Sequence, residues 1–125
     1  MTISLERAAP GAVLGAPPEA PLYVYRGDSR TWRFRLWADL ERTEPFDLAG
    51  LHVAAQIRRD PDALAAVDLT VNVDLPNVVI VHLSAEKSAR CPTGRWDMQI
   101  TYPDGRVTTA VRGRVAVTPD VTRND

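Results

Sequence analysis

The side chains able to do chemistry are few in this sequence, and their spacing keeps them apart. His52 and His82 each stand alone among apolar neighbours in separate segments. A metal site wants three or four His, Cys or carboxylate ligands at close spacing. Asp60 and Asp62 bracket Pro61, but two carboxylates fall short of the six or more oxygens that Ca²⁺ takes, and Asp-Pro-Asp is the composition of a surface loop. Ser29, Ser84 and Ser88 lack a Gly-x-Ser-x-Gly setting, and no histidine follows Ser84 or Ser88 in the chain. Cys91, in "ARCPTG", lies in a turn with no neighbour that argues for an activated thiolate. A Gly-rich phosphate loop is missing, and no carboxylate pair has a recognisably shielded setting. The expectation is a non-enzyme with no catalytic residues, metal or cofactor.

Two other features could serve recognition. Trp32, Trp37 and Trp96 could build a sugar-stacking platform, yet Trp32 and Trp96 fall in phase with the apolar faces of their segments and read as core. Trp37 falls out of phase, on the face with Arg33 and Arg35, and aromatic and arginine residues are enriched where proteins meet. The second feature is Arg26-Gly27-Asp28-Ser29, the tetrapeptide that integrin-type receptors read. Here it lies between "PLYVY" and "TWRFRLW", both strand-like. It reads as the start of the first core strand, with Gly27 supplying permissive backbone and Asp28 or Ser29 bonding nearby main chain.

The elements that must position these residues are strands. With 125 residues the chain has room for one core, and a net charge of −1 makes no case for nucleic acid. Lys87 is the only lysine among fifteen basic residues, a skew that reflects genome composition rather than phosphate recognition. A single cysteine forbids an internal disulfide, so this is no disulfide-stapled secreted module. No apolar run reaches the roughly 18 residues of a membrane span. The N-terminus, with Glu6 and Arg7 and no apolar stretch, is a poor signal peptide.

Residues 1–20, with Pro10, Pro17, Pro18, Gly11 and Gly15, suit an extended arm. Ile3, Leu5, Val13 and Leu14 give that arm something to bury against a neighbouring subunit. From Leu22 the period is two. Trp32, Phe34 and Leu36 oppose Thr31, Arg33 and Arg35; Leu51, Val53, Ala55 and Ile57 oppose His52, Gln56 and Arg58. Val67, Leu69, Val71 and Val73 form another such face, as do Trp96, Met98, Ile100 and Tyr102, and then Val107, Val111, Val115 and Val117. "NVVIVHLS" is apolar on both faces and reads as a central strand. "LPN" and "YPDG" are hairpin turns, "DLAG" and "RDPDAL" are connections, and "LSAEKSARCP" has room for one helical turn capped by Ser84. These spacings predict an all-β fold. It is an antiparallel immunoglobulin-like β-sandwich of about seven strands over residues 21–118, with a small barrel as the alternative and a short tail at 119–125.

From Arg26 to Arg123 the chain resembles a family of small bacteriophage tail and baseplate domains, similar to the N-terminal domain of phage baseplate upper proteins. "RGDSRTWRFRLW" looks like the family's Gly-Asp-(Ser/Thr) opening, and "PFDLAGLHVAAQIRRD" resembles its turn into a strand ending Ile-Arg. "VVIVHLSAEKSARCPTGRWDMQITYPDGRV" is similar to its strand, short Leu-Ser-Ala-Glu helix and Gly-Arg-Trp-Asp strand. "GRVAVTPDVTR" resembles its closing strand and tail. The long arm departs from the family, as does the lack of a following receptor-attachment region. The resemblance implies a non-enzymatic structural protein of a tailed-phage or prophage virion, in the tail tip, baseplate or neck. It would be assembled in the bacterial host cytoplasm, bound to other virion proteins and forming a homo-oligomer in the particle, with no nucleic-acid or membrane partner. Expected contacts are the four arm residues, the outer face of Arg33, Arg35 and Trp37, and Val121, Thr122 and Arg123 at the end. The alternative is a module that binds a host-surface glycan or protein.

Overall fold

A computed structural model describes residues 3–5 and 16–119 of the chain. Its elements are β1 (Ser4–Leu5), β2 (Leu22–Tyr25), β3 (Arg30–Trp37), β4 (His52–Arg58), β5 (Val67–Asp74) and β6 (Val78–Leu83), then helix α1 (Ala85–Ser88), β7 (Gly94–Thr101) and β8 (Val107–Thr118). The hydrogen-bonded order is β1-β3-β6-β5-β4-β7-β8-β2. The ribbon folds at β5, because Thr70–Asp74 pair with β6 while Val67–Leu69 pair with β4. One sheet is therefore β1-β3-β6-β5, and the facing sheet is β5-β4-β7-β8-β2. This is an immunoglobulin-like sandwich. A strand shared between sheets at one flank also explains why sandwich and small barrel read so alike in the sequence.

The apolar faces of the two sheets meet in one core. Leu36, Val79, Val81 and Leu83 from the first sheet pack with Ile57, Met98, Ile100 and Val111 from the second, all fully buried. Phe34 and Trp96 touch across the layers, ring centroids 5.3 Å apart. Each such side chain contributes about 1.5–3 kcal/mol by leaving water. β6, apolar on both faces, lies inside its sheet between β3 and β5. Ser84 caps α1 as its position suggests, its Oγ accepting from the Lys87 amide at 3.2 Å. The "YPDG" turn closes the β7–β8 hairpin, with Gly105 at φ +91° and its amide donating to Tyr102 O.

Three expectations are corrected. Val107 is 55% exposed rather than on the core face with Val111. Opposite Met98 and Gln99, β8 carries one extra residue, Ala110, so Ala110 and Val111 are both buried and the phase inverts. The sandwich is not wholly antiparallel, since β2 runs parallel to β8, Leu22 opposite Val115 through Tyr25 opposite Thr118. Nor is the N-terminal stretch simply an arm. Ser4–Leu5 pair with Trp37 and Leu36, and Glu19 bridges Arg112 in the register that β2 continues.

Candidate functional site

The residues with chemical potential are spread through the sandwich. His52 projects from β4 in one sheet and His82 from β6 in the other, where its Nδ1 lies 2.8 Å from Thr31 Oγ1. Asp60 accepts the Asp62 amide at 2.9 Å, the bond of a plain turn. Among the described residues no group of three or more His, Cys, Asp or Glu could hold a metal ion. Cys91 is buried, and desolvation pushes its thiol pKa up despite the opposing charge of Arg26, so the thiol is kept protonated.

The Arg26-Gly27-Asp28-Ser29 turn is tied down, though not by its own side chains. Gly27 takes φ +92°, the Asp28 amide donates to Tyr25 O at 2.9 Å, and the Gly27 amide donates to Ser88 Oγ at 3.0 Å. Ser88 Oγ in turn donates to Tyr25 O. The buried serine at the end of α1 does the work expected of Asp28 or Ser29, and Asp28 is exposed. A partner this distant in sequence leaves no local signal.

The two described arm positions face inward. Ile3 and Leu5 are 7% and 5% exposed, so their apolar surface is used within this chain's own core rather than offered to a neighbour. Ser4 Oγ donates to Asp39 O, and Arg42 Nε donates to Leu5 O at 2.6 Å. Arg42 holds a positive φ of 58°, rare for a side-chain-bearing residue. Val13, Leu14, Val121, Thr122 and Arg123 lie outside the described residues.

On the first sheet's outer face Arg33 and Arg35 are exposed, and Arg33 lies 3.9 Å from Asp74. Trp37 is only half-buried, flanked by Ser4 of β1 and bridged to Pro45, so its ring is partly covered. Its Nε1 is buried with no hydrogen-bond partner among the described residues. The aromatics that stand in solvent are Tyr23, 63% exposed, and Tyr25, 42% exposed, on β2. Alternation in "LYVY" carried that signal, because Leu22 and Val24 take the core side.

The second sheet's outer face holds an ordered polar array. One row crosses five strand positions in register: Asp68, Gln56, Asp97, Arg112 and Glu19. Gln56 Nε2 donates to Asp68 Oδ1 at 2.6 Å, and Arg112 Nε lies 3.7 Å from Glu19 Oε1. The next row is Arg58, Arg95 and Arg114, three like charges in direct cross-strand register. Arg58 is occupied by Ala63 O, Leu64 O and Gln56 Oε1. A shallow hollow of about 990 Å³ opens here, walled by Pro17, Pro61 and these polar side chains. Desolvation there raises the Asp97 pKa, with Arg58 opposing. Hydrogen-bonding groups abound in the hollow, but a nucleophile paired with a base is not among them.

No family model matches the chain, and no curated protein matches it. Among solved structures, an I-band fragment of titin, I67–I69, is similar over 94% of this chain at 8% identity and a TM-score of 0.45. The chain spans about a third of that fragment's length. The strand order given above stands by itself as the ground for the immunoglobulin-like fold.

Proposed function

We propose that this chain is a non-enzymatic structural component of a tailed-phage or prophage virion that joins neighbouring proteins in the tail tip, baseplate or neck. The observation that carries the joining role is the flank where the ribbon ends. β1 and β2 are the two terminal strands and come to the same side, because the opposite side is closed by β5. Along β2, the Ala20 and Arg26 amides bond β8, which turns the Tyr23 and Tyr25 amides outward beside their exposed rings. An extended segment of a partner can add there, main chain to main chain, with aromatic contact area alongside. The phage assignment itself is supported by the ordered motifs, which fall on successive joints of the fold: the Gly27 turn, the Asp47–Gly50 turn, the Ser84 cap and the start of β7.

The test is a mass-spectrometric census of purified particles from a host carrying the gene, with parent and Y23R/Y25R chains. The parent is expected in the particle, and the folded double variant is expected to be lost from it. Absence of the parent from particles would overturn the phage reading. Equal incorporation of the variant would overturn the edge. A host-surface binding module is the second reading, favoured by the polar hollow over Gln56, Asp97, Gln99 and Arg112, and glycan-array binding by the isolated chain would select it.

A further inference from the structure

Charge along the strand axis is strongly sorted. At the end reached by Trp37, Asp74 and Thr101, the loops and strand ends carry Asp39, Glu41, Glu44, Asp47, Asp74 and Asp104. Among the described residues Arg42, Arg106 and Arg35, which shares the cross-strand row of Asp74, offset them, an excess of three negative charges. At the other end, Arg26, Arg30, Arg58 and Arg59 stand against Asp28, Asp60 and Asp62. Lys87, Arg90, Arg95 and Arg114 add to them there, opposed by Glu86 alone, an excess of four positive charges. Between the ends, Arg33 and Arg112 stand against Glu19, Asp68 and Asp97, one negative charge in excess. The described residues are therefore neutral overall but dipolar, with opposite poles separated by the roughly 25 Å of an eight-residue strand.

We infer that the two poles dock on each other, joining copies of this chain head to tail. Neutrality removes the net-charge repulsion that would otherwise oppose self-association. The poles are complementary in sign and close in excess, which suits a heterologous, end-to-end contact. Unused capacity exists on both sides. The guanidinium groups of Arg59, Arg90, Arg95 and Arg114 make no hydrogen bond or ion pair among the described residues, and Arg95 sits in like-charge register between Arg58 and Arg114, which costs stability until a counter-charge arrives. Glu41 and Glu44 are exposed on the opposite loop with side chains free of bonds among the described residues. This docking uses the ends of the sandwich, not its β2 flank, and holds whether or not the particle assignment does.

The experiment is sedimentation velocity of the full chain across concentration, at low salt and near 1 M salt, where the screening length falls to about 3 Å. Association is expected at low salt and its loss at high salt. Two charge-reversed chains, E41K/E44K and R59E/R90E, each lose one pole. Each alone is expected to associate at least tenfold more weakly, and an equimolar mixture is expected to recover association. Circular dichroism establishes folding, and the neutral versions E41Q/E44Q and R59Q/R90Q give the same reading should a reversed chain unfold. A parent that stays monomeric at low salt would overturn the inference and assign the poles to a different partner. Association indifferent to salt, or a mixture that fails to recover, would overturn it as well.

Discussion

Gly113→Ala is expected to detach the segment before β2 and cost about 3 kcal/mol. Gly113 pairs with Trp96 across β7 and β8, and the chain crosses it closely at Ala20. A Cβ at position 113 would lie 2.1 Å from Ala20 O, 2.7 Å from Ala20 C and 3.2 Å from Trp96 Nε1. Two of these are backbone atoms, so no side-chain rotation relieves the overlap. The segment must lift, and three bonds go with it: Trp96 Nε1 to Ala20 O at 2.7 Å, the Ala20 amide to Arg112 O at 2.9 Å, and the Arg112 amide to Pro18 O at 3.1 Å. At about 1 kcal/mol net per bond the loss is about 3 kcal/mol. That lowers Tm by roughly 10–15 °C for a domain of this size. Thermal unfolding followed by tryptophan fluorescence reads the shift, and amide exchange at Ala20 and Arg112 reads the cause. In a Trp96→Phe background the same substitution is expected to cost about 1 kcal/mol less, because one of the bonds is already gone. A G113A protein melting within about 3 °C of the parent, or retaining protection at both amides, would refute the close-crossing argument.

Arg42→Ala is expected to cost about 1–2 kcal/mol by releasing Leu5 O, and Arg42→Gly less, because glycine relieves the positive φ; urea unfolding of both orders them. Ser88→Ala is expected to cost about 1–2 kcal/mol and to raise amide exchange at Gly27, whereas Asp28→Glu, on an exposed side chain, stays within about 0.5 kcal/mol of the parent. Asp97→Asn is expected to stabilise the fold at neutral pH. Desolvation holds this carboxyl's pKa above its ordinary 3.8, so the folded state favours the protonated form. The parent's penalty is absent below the ordinary value and grows as pH rises through the raised one, so melting curves of the two proteins should converge in acid and part above it.

The strands were legible because each repeats its own period, and that information is local. Leu69 and Val71 beside Asp68 and Thr70 declare a half-buried strand without knowledge of any partner. What the sequence hid depends on partners far along the chain. The inversion at Ala110 arises from pairing with Met98 and Gln99, and no residue in "RVTTAVRG" marks a bulge. Arg42 reaches a carbonyl at Leu5, and Ser88 an amide at Gly27, each across a separation no motif spans. The polar row from Asp68 to Glu19 exists only once five strand positions are set in register. Faces of regular strands could mostly be read directly, then, whereas the bulge in β8, the exposed end of β5 at Val73 and surfaces assembled from several strands could not.

The N-terminal stretch gains its meaning from where the ribbon ends. β1 edges one sheet through β3, and β2 edges the other through β8, so one stretch of chain supplies both terminal strands of the sandwich. Removing residues 1–20 would therefore do more than remove an arm. It would uncover Leu36 where Leu5 pairs with it, take Ile3 and Leu5 from the core, and strip Ala20 from Trp96. A truncated chain that failed to assemble would be uninformative about contacts with neighbours, because the edge itself would have changed. Point changes at Tyr23 and Tyr25 leave the core side of β2, Leu22 and Val24, intact. They separate the strand's duty to its own fold from its availability to a partner, and deletion cannot make that separation.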